Sequence, residues 1–158
     1  MAKEYRVNGN EKLNMSGGAV GSKRTVYQGG AATLSADDSG ALCLFTTAAG
    51  YTFTLPAAAE GLWFDFAIHT TITSVGAKVI CASGDFIVGV FTQGTDGTCT
   101  QAQHAANGTT HVSWNGNGAT TGGLVGDRFR LTAISSTQWF IEGYGTATGT
   151  EATPFSTS

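Results

Sequence analysis

From Thr25 onward, apolar residues recur at every second position in short bursts closed by glycine, asparagine or aspartate. Successive side chains of an extended chain point to opposite faces, so this spacing predicts half-buried strands. In Tyr51–Leu55, Tyr51, Phe53 and Leu55 alternate with threonines, and Pro56, which has no N–H to give a ladder, stops the run. Leu62–His69 is the strongest case: Leu62, Phe64, Phe66 and Ile68 face one way, and Trp63, Asp65, Ala67 and His69 the other. Phe86–Phe91 is almost continuously apolar and predicts a strand buried on both faces. Asp127–Ile134 and Gln138–Tyr144 predict a hairpin across Ser135-Ser136-Thr137, with Phe129, Leu131 and Ala133 beside Trp139 and Ile141. Asn107-Gly108 has the left-handed preference of a hairpin turn and lies between Thr98–His104 and His111–Trp114. The tract Ala57–Glu60 favours helix but is too short for more than a turn. About nine or ten short strands at roughly ten-residue spacing favour a sandwich, jelly roll or small barrel. The expected fold is all-β, a β-sandwich or jelly-roll-like single domain.

The flanks read differently. In residues 1–24, Val7, Leu13, Met15 and Val20 are too sparse to form an apolar face, which predicts an extended N-terminal arm. After Gly145 the chain becomes small and polar, with Phe155 its one large anchor. The expected organisation is an arm over 1–24, a β-sandwich domain over 25–144 and an extended C-terminal tail over 145–158.

Composition narrows the function classes. Apolar residues make up 41% and aromatics 10%, enough for a core and against a disordered chain. Charged residues are 12%, about half the usual share, so part of the surface is a candidate for cover by a partner. The arm sets Lys3, Arg6, Lys12, Lys23 and Arg24 against two acids, a balance of +3, while the remainder sets three cations against nine acids, a balance of −6. Such an arm is either a solvated tail or a segment that docks on an acidic surface. Five scattered cations without interleaved aromatics make a poor phosphate track, so no nucleic-acid partner is expected. No run approaches the ~18 apolar residues of a membrane span, and Met1 to Met15 lacks a signal-peptide core. Cys43, Cys81 and Cys99 show no metal-binding spacing and read as buried free thiols, as in a protein matured in a reducing cytoplasm.

Candidate chemistry is sparse. Glu60 and Asp65 stand five apart and could converge as an acid–base pair, but solvated surface acids are the simpler reading. Asp37-Asp38-Ser39-Gly40 lacks the spaced ligands of a calcium loop and reads as a turn. His104 and His111 flank Asn107-Gly108 and, with Cys99, are a conceivable zinc set; exposed or core histidines explain them more simply. There is no Gly-x-Ser-x-Gly elbow, and Gly116-x-Gly118-x-x-x-Gly122 misses the dinucleotide fingerprint. No catalytic residue, cofactor or metal is therefore expected. Trp63, opposite Phe64 and Phe66, reads as core packing, a subunit interface or a sugar platform.

Three strings carry a resemblance: Thr33-Leu34-Ser35-Ala36-Asp37-Asp38-Ser39-Gly40, Ala49-Gly50-Tyr51-Thr52-Phe53-Thr54-Leu55-Pro56, and Gly61-Leu62-Trp63-Phe64. With Thr121–Phe129 and Ala133–Trp139, they resemble a tailed-bacteriophage structural family, the head decoration or cement proteins, over about residues 25–144. The resemblance implies a virion protein on the outer capsid surface, made in the bacterial host cytoplasm. It implies a homotrimer whose partner is the major capsid protein and which ties capsomers together. It supplies no catalytic residues. On that reading Lys3, Arg6, Lys12, Lys23 and Arg24 are the inferred capsid contacts, and Trp63 and Phe155 the inferred subunit-interface residues. The alternative is a phage tail or spike module that binds a host glycan or receptor.

Overall fold

A computed structural model describes residues 5–7, 11–13, 24–95 and 100–158. The strands are β1 (Tyr5–Val7), β2 (Glu11–Leu13), β3 (Val26–Tyr27), β4 (Ala32–Thr33), β5 (Leu42–Phe45), β6 (Thr52–Thr54) and β7 (Trp63–Ile68). They continue with β8 (Ala77–Ile80), β9 (Phe86–Thr95), β10 (Gln101–Asn107), β11 (Ser113–Gly116), β12 (Arg128–Ala133), β13 (Gln138–Ala147) and β14 (Phe155–Ser156). Among the described residues, one 3-10 turn at Ala36–Asp38 supplies the helix content. β1 and β2 pair antiparallel as a small sheet of their own. The body is a seven-stranded sheet in the order β10-β9-β13-β12-β7-β5-β3 over a five-stranded sheet in the order β14-β11-β8-β6-β4. The all-β sandwich-like expectation holds.

Alternation builds the core. β7 buries Phe64, Phe66 and Ile68 and leaves Trp63, Asp65 and Ala67 half-buried on the other face. β12 buries Phe129, Leu131 and Ala133, and β13 buries Trp139 and Ile141. The two sheets meet through rings. Trp114 of β11 lies 4.4 Å from Phe129 and 5.7 Å from Phe91, and Phe53 of β6 lies 5.9 Å from Phe66. Aromatic contacts at these distances add to the large apolar area each ring removes from water. The predicted hairpin is present, with Leu131 opposite Ile141 and Ala133 opposite Trp139.

Three expectations change. β9 is not buried on both faces: Ile87 and Phe91 are buried, while Val90 is 42% exposed. It pairs parallel with β13, and Gly89 permits the close approach, since a Cβ there would lie 2.5 Å from the Ile141 carbonyl oxygen. Asn107-Gly108 does not close a hairpin, because β10 and β11 belong to different sheets. Instead the Asn107 side-chain oxygen accepts the N–H groups of Thr109 and Thr110 and steers the crossover. The residues after Gly145 are built into the body. β13 runs to Ala147, Ala152 donates to the Thr120 carbonyl, and Phe155 pairs with Trp114 on β11.

Candidate functional site: the open face of the seven-stranded sheet

One face of the seven-stranded sheet packs on the core; the other bears the side chains that alternation turns outward. Strand register sets them in rows. Across β13, β12 and β7, Phe140 meets Thr132, which meets Trp63; Glu142 meets Arg130, which meets Asp65; Tyr144 meets Arg128, which meets Ala67. Val88, Val90 and Thr92 of β9 continue the same rows. The result is an apolar half with Val90 (42% exposed) and Phe140 (40%), bordered by Tyr144 (55%), and a charged half on β12 and β7.

The charged half is organised around Asp65. Its carboxylate takes a two-point hydrogen bond from Arg130, Nε at 2.7 Å and Nη2 at 3.0 Å, and an ion pair from Arg24 Nη2 at 2.7 Å. Arg24 also donates to the carbonyls of Gly40 and Ala41, which ties the start of the body to the sheet edge. Both guanidinium groups lie near the Trp63 ring, their carbons 5.0 Å and 4.4 Å from its centre, within cation–π range. Burial pushes the Asp65 pKa up, but the hydrogen bonds from Arg130 and Arg24 outweigh it and hold the group below the usual carboxylate range. The Arg128 guanidinium makes no hydrogen bond or ion pair among the described residues. A shallow cleft of about 570 Å³ opens here, lined by Arg24, Asp65, Arg128, Arg130, Glu142 and Tyr144.

Behind this face, buried Asp127 pins the loop that precedes β12. Its Oδ2 accepts N–H groups from Gly123 (2.8 Å) and Leu124 (3.1 Å), and its Oδ1 accepts that of Thr146 (2.9 Å). Burial nevertheless raises its pKa to about 6 against those three donors. Gln93, fully buried, faces the same interior, and its side-chain amide has no partner among the described residues.

Of the inferred site residues, the structure brings Trp63 and Arg24 together. Phe155 is buried in its own chain (5% exposed) and stacks on His111 at 5.7 Å, because β14 seals the five-stranded sheet. Lys3 and Lys23 lie outside the described residues, and the side chains of Arg6 and Lys12, opposite each other in the β1–β2 hairpin, do too. Trp114 and Trp139 are fully buried, and Trp63 is covered by two arginines, so none of the three presents an open sugar platform.

The other candidates are held by structural bonds. Asp65 is bound by its arginines, while Glu60 is exposed in the preceding loop. His111 accepts the Asn107 N–H at 3.2 Å, Cys99 lies outside the described residues, and no metal-holding group of three occurs among the described residues. Asp38 takes hydrogen bonds from the Tyr27 hydroxyl and from Ser35, which lower its pKa, and it closes the capping box of the 3-10 turn on Ser35. Cys43 and Cys81 are buried free thiols whose pKa burial pushes up to about 12.

The residues that sequence reasoning passed over are Val90, Arg128, Phe140 and Tyr144. Their signal was present: DRFRLTAI and QWFIEGY carry large or charged residues on both faces of a two-residue repeat. Comparison with protein-family models, curated proteins and solved structures finds no match.

Proposed function

We propose that this chain is a structural virion protein that binds the outer surface of an assembled capsid and stabilises the shell by bridging neighbouring capsomers, acting as a homotrimer on the major capsid protein. Two arguments support the reading: the resemblance of its strand and turn strings to head decoration proteins, and the open face just described. The observation that carries docking is the sheet face, covered by no second layer among the described residues, on which Val90, Phe140, Tyr144 and Arg128 stand in rows with the arginine-covered Trp63. Aromatic residues and arginine carry most of the energy of protein interfaces, and a rigid sheet presents them at little entropic cost. The reading assigns the chain no reaction.

The test is to add purified protein to undecorated shells and measure co-sedimentation and shell melting temperature. The expected result is saturable binding with a rise in melting temperature, and a loss of affinity of about tenfold or more for the double variant Arg128→Glu, Tyr144→Ala. Failure to bind, or unchanged binding by the double variant, rejects this face. The exposed Tyr144 ring beside the cleft supports a second reading, a tail or spike module for a host glycan or receptor. A glycan array with the same double variant separates the two.

A further inference from the structure

The seven-stranded sheet has two edges of very different character. At one edge stands β3, two residues long; the outer strands of the other sheet, β4 and β14, are equally short. The opposite edge is β10, seven residues long, with the sequence QAQHAAN. Short edge strands are one way proteins prevent unwanted pairing; lysine, proline, bulges and inward charges are others. β10 has neither a short length nor a lysine, acid or proline.

Its free hydrogen-bonding groups follow from the register. Thr95 N–H bonds the Thr100 carbonyl and Gly108 N–H bonds the Ile87 carbonyl, so the pairs Ala102–Gln93, His104–Phe91 and Ala106–Gly89 between them exchange ladder bonds. The alternate residues Gln101, Gln103, Ala105 and Asn107 turn their backbone groups away from β9. The Asn107 N–H duly goes to the His111 ring at 3.2 Å. The N–H and C=O groups of Gln101, Gln103 and Ala105 remain an open template, with no partner among the described residues.

The same chain contains a strand pair with the opposite need. β1 and β2 form a hairpin of three-residue strands that joins neither sheet of the body. An isolated two-stranded hairpin is marginal in water at best. We propose that the N-terminal hairpin of a second copy adds to the β10 edge and extends the seven-stranded sheet between subunits.

Reach favours a neighbour's hairpin over the chain's own. Arg24 is fixed by Gly40, Ala41 and Asp65 on the β3 side of the sheet. A strand beyond β10 lies seven intervals from β3, roughly 34 Å at about 4.8 Å per interval. Leu13 and Arg24 stand eleven residue steps apart, a span of at most ~36–40 Å when fully extended. Folding back would need a taut chain across the whole sheet, whereas a neighbour's hairpin has no such constraint. The contact is heterologous, hairpin of one copy to edge of the next, and such contacts give a ring where the rotation between copies closes and an open filament where it does not. The inference concerns self-assembly without any shell, so it stands or falls separately from the capsid reading.

The test combines solution mass with amide hydrogen exchange on the full chain, a chain lacking residues 1–23, and Gln103→Pro. Proline at 103 removes an N–H that points outward and leaves the β9 ladder intact. Every residue of the core cluster lies between Leu34 and Phe155, so the body retains its core in the shortened chain. The full chain is expected to exceed the 16.2 kDa of one copy, with slow exchange at Gln101, Gln103 and Ala105. Both variants are expected to fall to one copy, with these amides exchanging about a hundredfold faster or more while Ile87 and Leu131 stay protected. If Gln103→Pro fails to fold, the shortened chain carries the test. A monomeric full chain overturns the proposal, and slow β10 amides in that monomer mean the hairpin folds back in cis. An assembly that survives removal of residues 1–23 overturns it as well.

Discussion

Substituting Asp127 by asparagine tests how this sandwich holds a charge in its interior. Asp127 is 2% exposed, and burial raises its pKa from 3.8 to about 6 despite three backbone donors. A proton is therefore bound more tightly in the folded state than in the unfolded one. The resulting stabilisation is fully present below about pH 3.8 and is lost as pH rises through about 6. At about 1.36 kcal/mol per pH unit, the group makes the fold less stable at pH 7 than at pH 4 by up to about 3 kcal/mol. Asp65 and Asp38 act with the opposite sign, because their pKa values are lowered; their contribution is lost below pH 3.8, outside this window. In Asp127→Asn, the amide oxygen at the Oδ2 position keeps the Gly123 and Leu124 bonds, but the NH2 group confronts the Thr146 N–H. The variant should therefore be less stable at pH 4, by about 1–3 kcal/mol for the buried donor left unpaired. Its deficit should shrink as pH rises to 7, since the wild type alone loses the proton. Urea unfolding of both proteins at pH 4, 5, 6 and 7 measures that difference. A deficit constant across the four pH values would refute the argument that desolvation controls Asp127.

Other outcomes follow from the same geometry. Asp65→Ala leaves Arg24 and Arg130 facing each other over Trp63; the groups are partly exposed, so the cost should be modest, about 1 kcal/mol, and smaller in high salt by urea unfolding. Trp114→Ala removes a fully buried ring that bridges the sheets and should cost about 3–5 kcal/mol in thermal or urea unfolding. Gly118→Ala should be strongly destabilising, because φ is +76° and the added Cβ would sit 1.7 Å from the Ile72 carbonyl oxygen; a folded variant with unchanged melting temperature would contradict this packing. Cys43 and Cys81 should resist a thiol reagent at pH 8 in the native protein and react at once in denaturant, since burial keeps both protonated and shielded.

Local alternation revealed much of this molecule. The two faces of β7, the β12–β13 hairpin and the stop at Pro56 are visible in the chain, because strand side-chain period is set by adjacent residues alone. The same reasoning misplaced β9. An apolar run looks alike whether a second layer covers both faces or one, and here β9 lies in a sheet whose outer face carries no second layer among the described residues. It did not reveal the burial of Phe155, which depends on β11, a strand some forty residues earlier in the chain. Asn107-Gly108 marked a change of direction correctly, yet whether the chain returns to its own sheet or crosses to the other depends on where β8 and β14 already stand.

The open face shows the division most clearly. By itself the sequence determined that Trp63, Asp65, Arg128, Arg130, Phe140 and Tyr144 point away from Phe64, Phe129 and Trp139. Only the tertiary structure decided that these residues, from three strands, form continuous rows, that Arg24 reaches Asp65, and that no second layer of described residues covers them. Pleating is a property of neighbouring peptide units, whereas strand order and register come from long-range burial and pairing, which no short segment encodes.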